Sequence, residues 1–439
     1  LYHEWLLVNK NIVSSFEMSL EKKNEMGFDL QELKDKSSLL ERKLLNQSDV
    51  FASIQKKYSF DDISSSLDSN EIYIDIVTFP TLNFDSNYYE IPDSNKYYAF
   101  LTRKGDDIPK FIDLGYSYNF EQTFNNYSLY AKNRPSKRIF NSKHKKIANN
   151  VCYNLWGPFK PFLEGISKVY FSSEGIYSKI NLNVLYDSIS NNFLIDNYDI
   201  NYVSNVEDFI SKKNNIKLFE TKNDLSAVVI GNPSFLLQSN ETIFASNNNI
   251  SRSLETIETD SLKRGVLLSD LPGTQIEIDL ISNNLKSKGW EVKIFSGTNA
   301  TEDRLKKIES PRILHIATHG FFFEDQEKLK RTKMISEENN TAISNPMTRS
   351  GLIFAGAENT MNGDVIDGDN GWLNSYEASL LNLRGTELVV LSACETGSGE
   401  IQNGKGVYGL QRAIRVAGAE SLIMSMWEVD DKGTQELMT

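Results

Sequence analysis

Two stretches decide the fold: Arg312-Ile-Leu-His-Ile-Ala-Thr-His319-Gly320 and Thr386-Glu-Leu-Val-Val-Leu-Ser-Ala-Cys394-Glu-Thr-Gly397. Each is a short, nearly continuous apolar run, the pattern of a strand buried on both faces of a parallel sheet. Each ends in a reactive side chain. In an open parallel α/β sheet, ligands bind beyond the carboxyl ends of the strands. A His and a Cys at two such ends would face one cleft, as a thiol nucleophile and its acid/base partner require. The pair therefore points to cysteine peptidase chemistry.

The rest of the chain limits the alternatives. At 439 residues it has room for two or three domains, and a hydrophobic content of 40% with 24 Phe and 19 Tyr suffices for packed cores. A net charge of −12 argues against direct nucleic-acid binding, which needs a basic face. It is compatible with an acidic cleft for a basic substrate. The two cysteines, Cys152 and Cys394, do not form a disulfide framework, and such sparing use fits a reducing, cytoplasmic compartment. The histidines are His3, His144, His315 and His319, and no Cys/His pair has zinc-ligand spacing. No apolar run reaches the length of a membrane span.

Outward from the two strands, residues 221–439 read as a catalytic domain in which strands alternate with helices. Strand Ala227–Gly231 precedes a polar stretch over 233–268, a helix at Thr274–Leu285, strand Glu291–Phe295 and a helix at 301–308. The His319 strand, a polar stretch over 324–350 and the Cys394 strand follow. A helix over Val407–Val416, stopped by Gly418, leads to an apolar strand at Ser421–Met426. This alternation predicts a mainly parallel sheet with right-handed crossovers. Residues 70–220 read as a small β-rich α+β subdomain. Glu71–Val77, Lys96–Thr102 and Pro109–Leu114 alternate with period two and predict a meander. Helical patterns follow over 119–133 and 147–165, the second interrupted by Gly157-Pro158, then strands near Lys168–Phe171 and Tyr202–Val203 and a helix at 206–213. Residues 1–69 read as a helical arm with an apolar stripe of Trp5, Val8, Ile12, Phe16 and Leu20, resumed after Gly27 by Leu30, Leu33, Leu40 and Leu44. Ser59 and Asp62 form a capping-box pattern at its last helix.

Gly320 lets a substrate carbonyl approach the backbone and offers an N–H to an oxyanion; the plainer role for His319 is to cap a turn. His315, four residues earlier, reads as a core residue with its polar atoms satisfied, on the same strand face as His319. Cys394 sits past the last apolar residue, before a Gly-rich turn, where reactive thiols occur, whereas Cys152 lies among Val151, Tyr153 and Leu155 and reads as inert. Gly399-Glu-Ile-Gln-Asn-Gly404-Lys405-Gly406 approaches a phosphate-binding loop but lacks the Ser or Thr that would ligate Mg²⁺. The acidic stretch Asp364–Gly371 lacks the closing Glu of a calcium loop and reads as an exposed turn.

Taken together, His319-Gly320, Ser392-Ala-Cys394-Glu-Thr-Gly397, Asn345-Pro-Met-Thr-Arg-Ser-Gly-Leu352, Gly404-Lys-Gly-Val-Tyr-Gly-Leu410, Ala417-Gly-Ala419 and Trp427-Glu-Val-Asp-Asp431 resemble the CHAT family of caspase-like cysteine peptidases, distantly similar to separases. The resemblance covers about 71–439 and is dense after 310. It implies an α/β, caspase-like sandwich around the mainly parallel sheet, acting on protein substrates with neither metal nor other cofactor. In that family scheme Cys394 attacks the scissile carbonyl, His319 is the general acid/base, and the N–H groups of Gly320 and Cys394 form the oxyanion hole. By similarity to separases, Asp431, flanked by Asp430 and Trp427, would bind a basic P1 side chain; a helix-start role for Asp431 is the open alternative. Residues 324–345 hold Lys330-Arg331-Thr-Lys333 and lie where caspases carry processing loops, although a solvated loop is the simpler reading. The family often carries tetratricopeptide repeats upstream. The arm at 1–69 resembles the end of such a region and is where an activating protein or complex would make contact. The resemblance also implies helices and a final strand beyond Thr439, so the catalytic domain reads as truncated there. The rival reading is a catalytically silent caspase-like scaffold that serves as an interaction module.

Overall fold

The computed structural model describes residues 58–84, 90–132, 142–214, 224–237, 268–322, 349–361, 370–393, 400–402, 406–425 and 431–439, with Met347 and a few positions before 41. Of the arm's apolar stripe, Val8 and Leu40 are helical and buried. Most of the remaining arm, the acidic stretch 364–369 and most of the two long polar stretches lie outside the described residues. The chain forms two compact units. One comprises Ile54–Leu218 with Ile401–Val407; the other comprises Phe219–Glu400 and Tyr408–Thr439 with Leu1–Ser53.

The first unit opens with α1 (Phe60–Ser66), started by the capping box that the sequence predicts: the Ser59 N–H donates to Asp62 Oδ2 at 2.7 Å, and the Asp62 N–H donates to Ser59 Oγ at 3.3 Å. The meander is β1 (Glu71–Phe84), β2 (Glu90–Arg103) and β3 (Lys110–Tyr116), paired antiparallel. After α2 (Ser117–Lys132) and α3 (Ser142–Leu155), β4 (Lys168–Ser172) and β5 (Asp199–Val203) add in parallel, giving the order β3-β2-β1-β4-β5. The helical pattern over 147–165 breaks where Gly157-Pro158 interrupts it, and α3 stops at Leu155. Pro158 and Pro161 remove amide donors, and a 3₁₀ segment at Gly157–Phe162 takes its place. Alternation along β1 buries Ile72, Ile74 and Ile76 on one face. On the other face Tyr73 packs on Phe209 of α4 (Val206–Lys213), which also meets Tyr170.

The second unit holds a five-stranded sheet in which every pairing is parallel. Its strands are β6 (Ser226–Pro233), β7 (Glu291–Gly297), β8 (Ile313–Ala317), β12 (Leu388–Ser392) and β13 (Ser421–Met424), in the order β13-β12-β8-β6-β7. Between β8 and β12 the chain makes a small antiparallel sheet, β9 (Gly320–Phe322), β10 (Ser350–Ile353) and β11 (Trp372–Asn374). Val228, Ile230, Leu314, Ile316, Val389 and Leu391 pack with Leu305 of α6 (Glu302–Lys306) and with Leu410, Ala413 and Ile414 of α7 (Leu410–Val416). Val229 and Ala317 pack against Ile278 of α5 (Pro272–Ser287) on the opposite face. The apolar face of each flanking element thus meets a strand buried on both sides, which is why these strands read as continuous apolar runs. The last helix, α8 (Asp431–Met438), packs on α5.

A buried ion network fixes α6 to the small sheet. Lys306 Nζ lies 2.6 Å from Glu302 Oε1 and 2.8 Å from Glu377 Oε1, and Glu302 Oε2 accepts the Gly371 N–H at 3.0 Å. Burial alone would lower the lysine pKa, but the two carboxylates raise it and keep the ammonium charged.

In the first unit, burial pushes the half-buried Asp75 carboxyl up to about 6, against a hydrogen bond with Ser172 and with a contribution from the Glu174 carboxylate. A folded pKa above the unfolded value (about 3.9) means the folded state binds the proton more tightly, so stability falls as pH rises from about 4 through 6. Asp75→Asn is therefore expected to stabilise the protein by about 1–3 kcal/mol at pH 8 and by almost nothing at pH 4. Urea unfolding at the two pH values checks this.

Candidate active site

The strand order reverses at β6 and β8: the chain runs from β6 out to β7, then returns to the far side of β6 as β8. The crevice outside such a switch point is where open parallel sheets bind ligands. His319 leaves β8 at this point. The turn is held on two sides. The Thr318 N–H donates to the Ser392 carbonyl at 3.3 Å, and the Thr318 hydroxyl donates to the Ile353 carbonyl. The His319 carbonyl accepts the Ile353 N–H at 3.0 Å.

The imidazole is only 1% exposed. It packs on Phe235, with ring centroids 5.1 Å apart, and Nε2 lies 2.8 Å from the Ser269 carbonyl oxygen. A carbonyl oxygen can only accept, so Nε2 carries the proton and Nδ1 is the basic nitrogen of the neutral ring. Phe235 belongs to a cluster with Leu268, Leu271, Phe321, Ile353 and Ala357. The short helix Ala357–Met361 holds the chain on both sides of 238–267. Asn359 exchanges hydrogen bonds with the Leu237 backbone at 2.7 and 3.0 Å, and the Glu358 carboxylate accepts the Leu268 N–H. Burial raises the Glu358 pKa.

Gly320 begins β9 opposite Leu352. The neighbouring Gly351 is required by close packing. A Cβ there would sit 2.1 Å from the Leu373 carbonyl oxygen and 2.5 Å from the Phe321 ring. Only glycine lets β10 lie between β9 and β11.

On the other side of β8, the ladder pairs Ala317 with Ser392. His319 is two residues beyond this pair on β8, and Cys394 is two residues beyond it on the sequence of β12. Ala393 is buried, and its carbonyl accepts a hydrogen bond from the Ser425 hydroxyl just after β13. The ends of β8, β12 and β13 are thereby linked in series. Cys394, Trp427 and Asp430 lie outside the described residues, as do Lys330, Arg331 and Lys333. Asp431 is the first residue of α8. Glu400–Gln402 and Gly406–Tyr408, which flank the lysine of the near-match phosphate loop, pair as a two-stranded sheet.

His315 is buried, and its Nε2 meets Glu277 Oε1 of α5 at 2.8 Å. The sequence reading did not identify Glu277 or the Ser269 carbonyl. A signal for Glu277 exists in the i, i+1 and i+5 spacing of the buried positions Glu277, Ile278 and Ser282, but a lone glutamate there reads as a solvated helix position. Among the described residues, no three His, Cys, Asp or Glu side chains cluster as a metal site would require, and no helix is long and apolar enough to cross a membrane.

A parallel sheet whose three central strands are covered on both faces, with a buried, tautomer-fixed histidine at its switch point, defines an α/β protein. Comparison with protein families identifies the CHAT domain over residues 145–439, and the chain belongs to that family, which is related to cysteine peptidases. A comparison with curated proteins found no match.

Cys152 gives a test of the thiol inventory. Burial, with a contribution from Asp187, pushes its thiol up to about 12. Native Cys394→Ser protein is therefore expected to resist iodoacetamide at pH 8 and to take up one label per chain in urea, as read by intact mass.

Proposed function

We propose that the protein is a cysteine endopeptidase of caspase-like fold that cleaves protein substrates after a basic P1 residue. The observation that carries this reading is the parallel register of β8 and β12. It brings the two strands to the same level two residues before His319 and before Cys394, with the His319 ring oriented by the Ser269 carbonyl. In the proposed reaction, the Cys394 thiolate attacks the scissile carbonyl carbon, and the N–H groups of Gly320 and Cys394 donate to the resulting oxyanion. His319, protonated at Nδ1, gives that proton to the leaving amine. It then takes a proton from the water that attacks the thioester, and the Cys394 sulfur leaves as the thiolate, which restores the starting pair. Asp431, with Asp430 and Trp427 beside it in sequence, would pair with an Arg or Lys at P1. As the first residue of α8, Asp431 also suits the positive end of a helix, a role that needs no substrate.

One observation supports the rival reading, a silent scaffold: the His319 side chain is buried, so substrate has to displace part of its cover. On the peptidase reading, an activating protein bound at the helical arm would open it.

Full-length protein assayed against a peptide library with varied P1, with and without cell extract, tests the proposal. Cys394→Ala and His319→Ala are each expected to lower kcat/KM by at least roughly 10³-fold. Asp431→Ala is expected to remove the preference for Arg and Lys; an unchanged preference excludes it from the pocket. Wild type and Cys394→Ala that are equally inert under every condition would leave the scaffold reading standing.

A further inference from the structure

Glu277 and His315 form an ionisable pair in the interior of the second unit, the carboxylate 0% and the imidazole 3% exposed, 2.8 Å apart. Such a pair is a poor source of stability, because desolvating both groups offsets most of their attraction and apolar residues of similar volume pack at least as well. What it offers is direction. The apolar contacts of α5 with Val229 and Ala317 tolerate sliding, whereas a hydrogen bond fixes one helix position to one strand position. The first two turns of α5 also press on β6. The Asn232 N–H donates to Thr274 Oγ1 at 2.9 Å, and a Cβ on Gly231 would sit 2.6 Å from Ile278 Cγ2. Ser269 lies three residues before α5, and His319 lies four residues after His315 on the same strand path. A shift of α5 along β8 would therefore move the Ser269 carbonyl away from His319 Nε2.

We infer that Glu277 and His315 are positioning residues, whose buried hydrogen bond sets the register of α5 on β8 and so holds the Ser269 carbonyl against the His319 ring. This assignment deepens the peptidase reading and rests on it for its catalytic consequence, but the geometry it claims is measurable without a substrate.

The test uses the full chain labelled with ¹³C/¹⁵N-histidine, in which only His3, His144, His315 and His319 report. In wild type near neutral pH, His319 is expected to show the Nε2–H tautomer. In Glu277→Ala, and in the double variant Glu277→Leu/His315→Leu that replaces the pair with apolar groups, the His319 signal is expected to become a mixture of tautomers. Glu277→Gln, which keeps an acceptor for His315, is expected to retain the single tautomer. Where peptide cleavage is measurable, the double variant should lose roughly 10- to 100-fold in kcat with little change in KM. A folded double variant with an unchanged His319 tautomer overturns the inference. Failure of the double variant to fold also overturns it, because the pair would then belong to the core alone. A wild type that cleaves nothing counts against the peptidase reading, whereas the tautomer measurement still decides this one.

Discussion

The ladder that sets Ala317 beside Ser392 on one edge of β8 and beside Gly231 on the other governs the second unit. Backbone groups in strands covered on both faces have no water to turn to, and each one left unpaired costs about 1–3 kcal/mol. Slipping β8 by one residue would also exchange its faces. His315 would point into the cluster around Leu314 and Ile316, and Leu314 would point toward Glu277. Register, burial and polar pairing thus specify one alignment, and the geometry at the strand ends follows from it.

Around this apolar frame, a few polar contacts supply the directional information that hydrophobic packing lacks. The Ser269 carbonyl selects one ring tautomer for His319. The Glu302–Lys306–Glu377 network holds the Gly371 amide and, with it, the chain that enters β11. Thr318 reaches both β12 and β10 from a single residue. Each contact joins segments far apart in sequence, and each lies at an element's end, where backbone groups need partners outside their own helix or strand.

How far the chain could be read from its sequence depended on whether a feature repeats. The period-two runs in β1 to β3, the apolar runs of β6, β8 and β12, and the Ser59/Asp62 cap announce themselves, because each places several residues under one rule. The small sheet does not. With three- and four-residue strands it offers too few positions for a period, and its decisive residue, Gly351, is legible only once Phe321 and Leu373 are known to flank it. The break after Leu155 is legible as Gly157-Pro158, whereas the 3₁₀ form of the segment beyond it is not. At the candidate site, His319 and its neighbour Gly320 stand out in sequence. Its orienting partner is a main-chain oxygen, and any residue type could have provided that.

The CHAT match begins at residue 145, inside α3, while the sheet of the first unit begins at Glu71. Strand β1 stands at the seam: it pairs antiparallel with β2, outside the match, and parallel with β4, inside it. A polypeptide cut to the family boundary would leave the edge of β4 from Lys168 to Ser172 without the strand that now pairs with it. The unit of homology and the unit of folding are therefore different objects in this chain. A fragment meant to keep the sheet of the first unit whole has to begin ahead of α1.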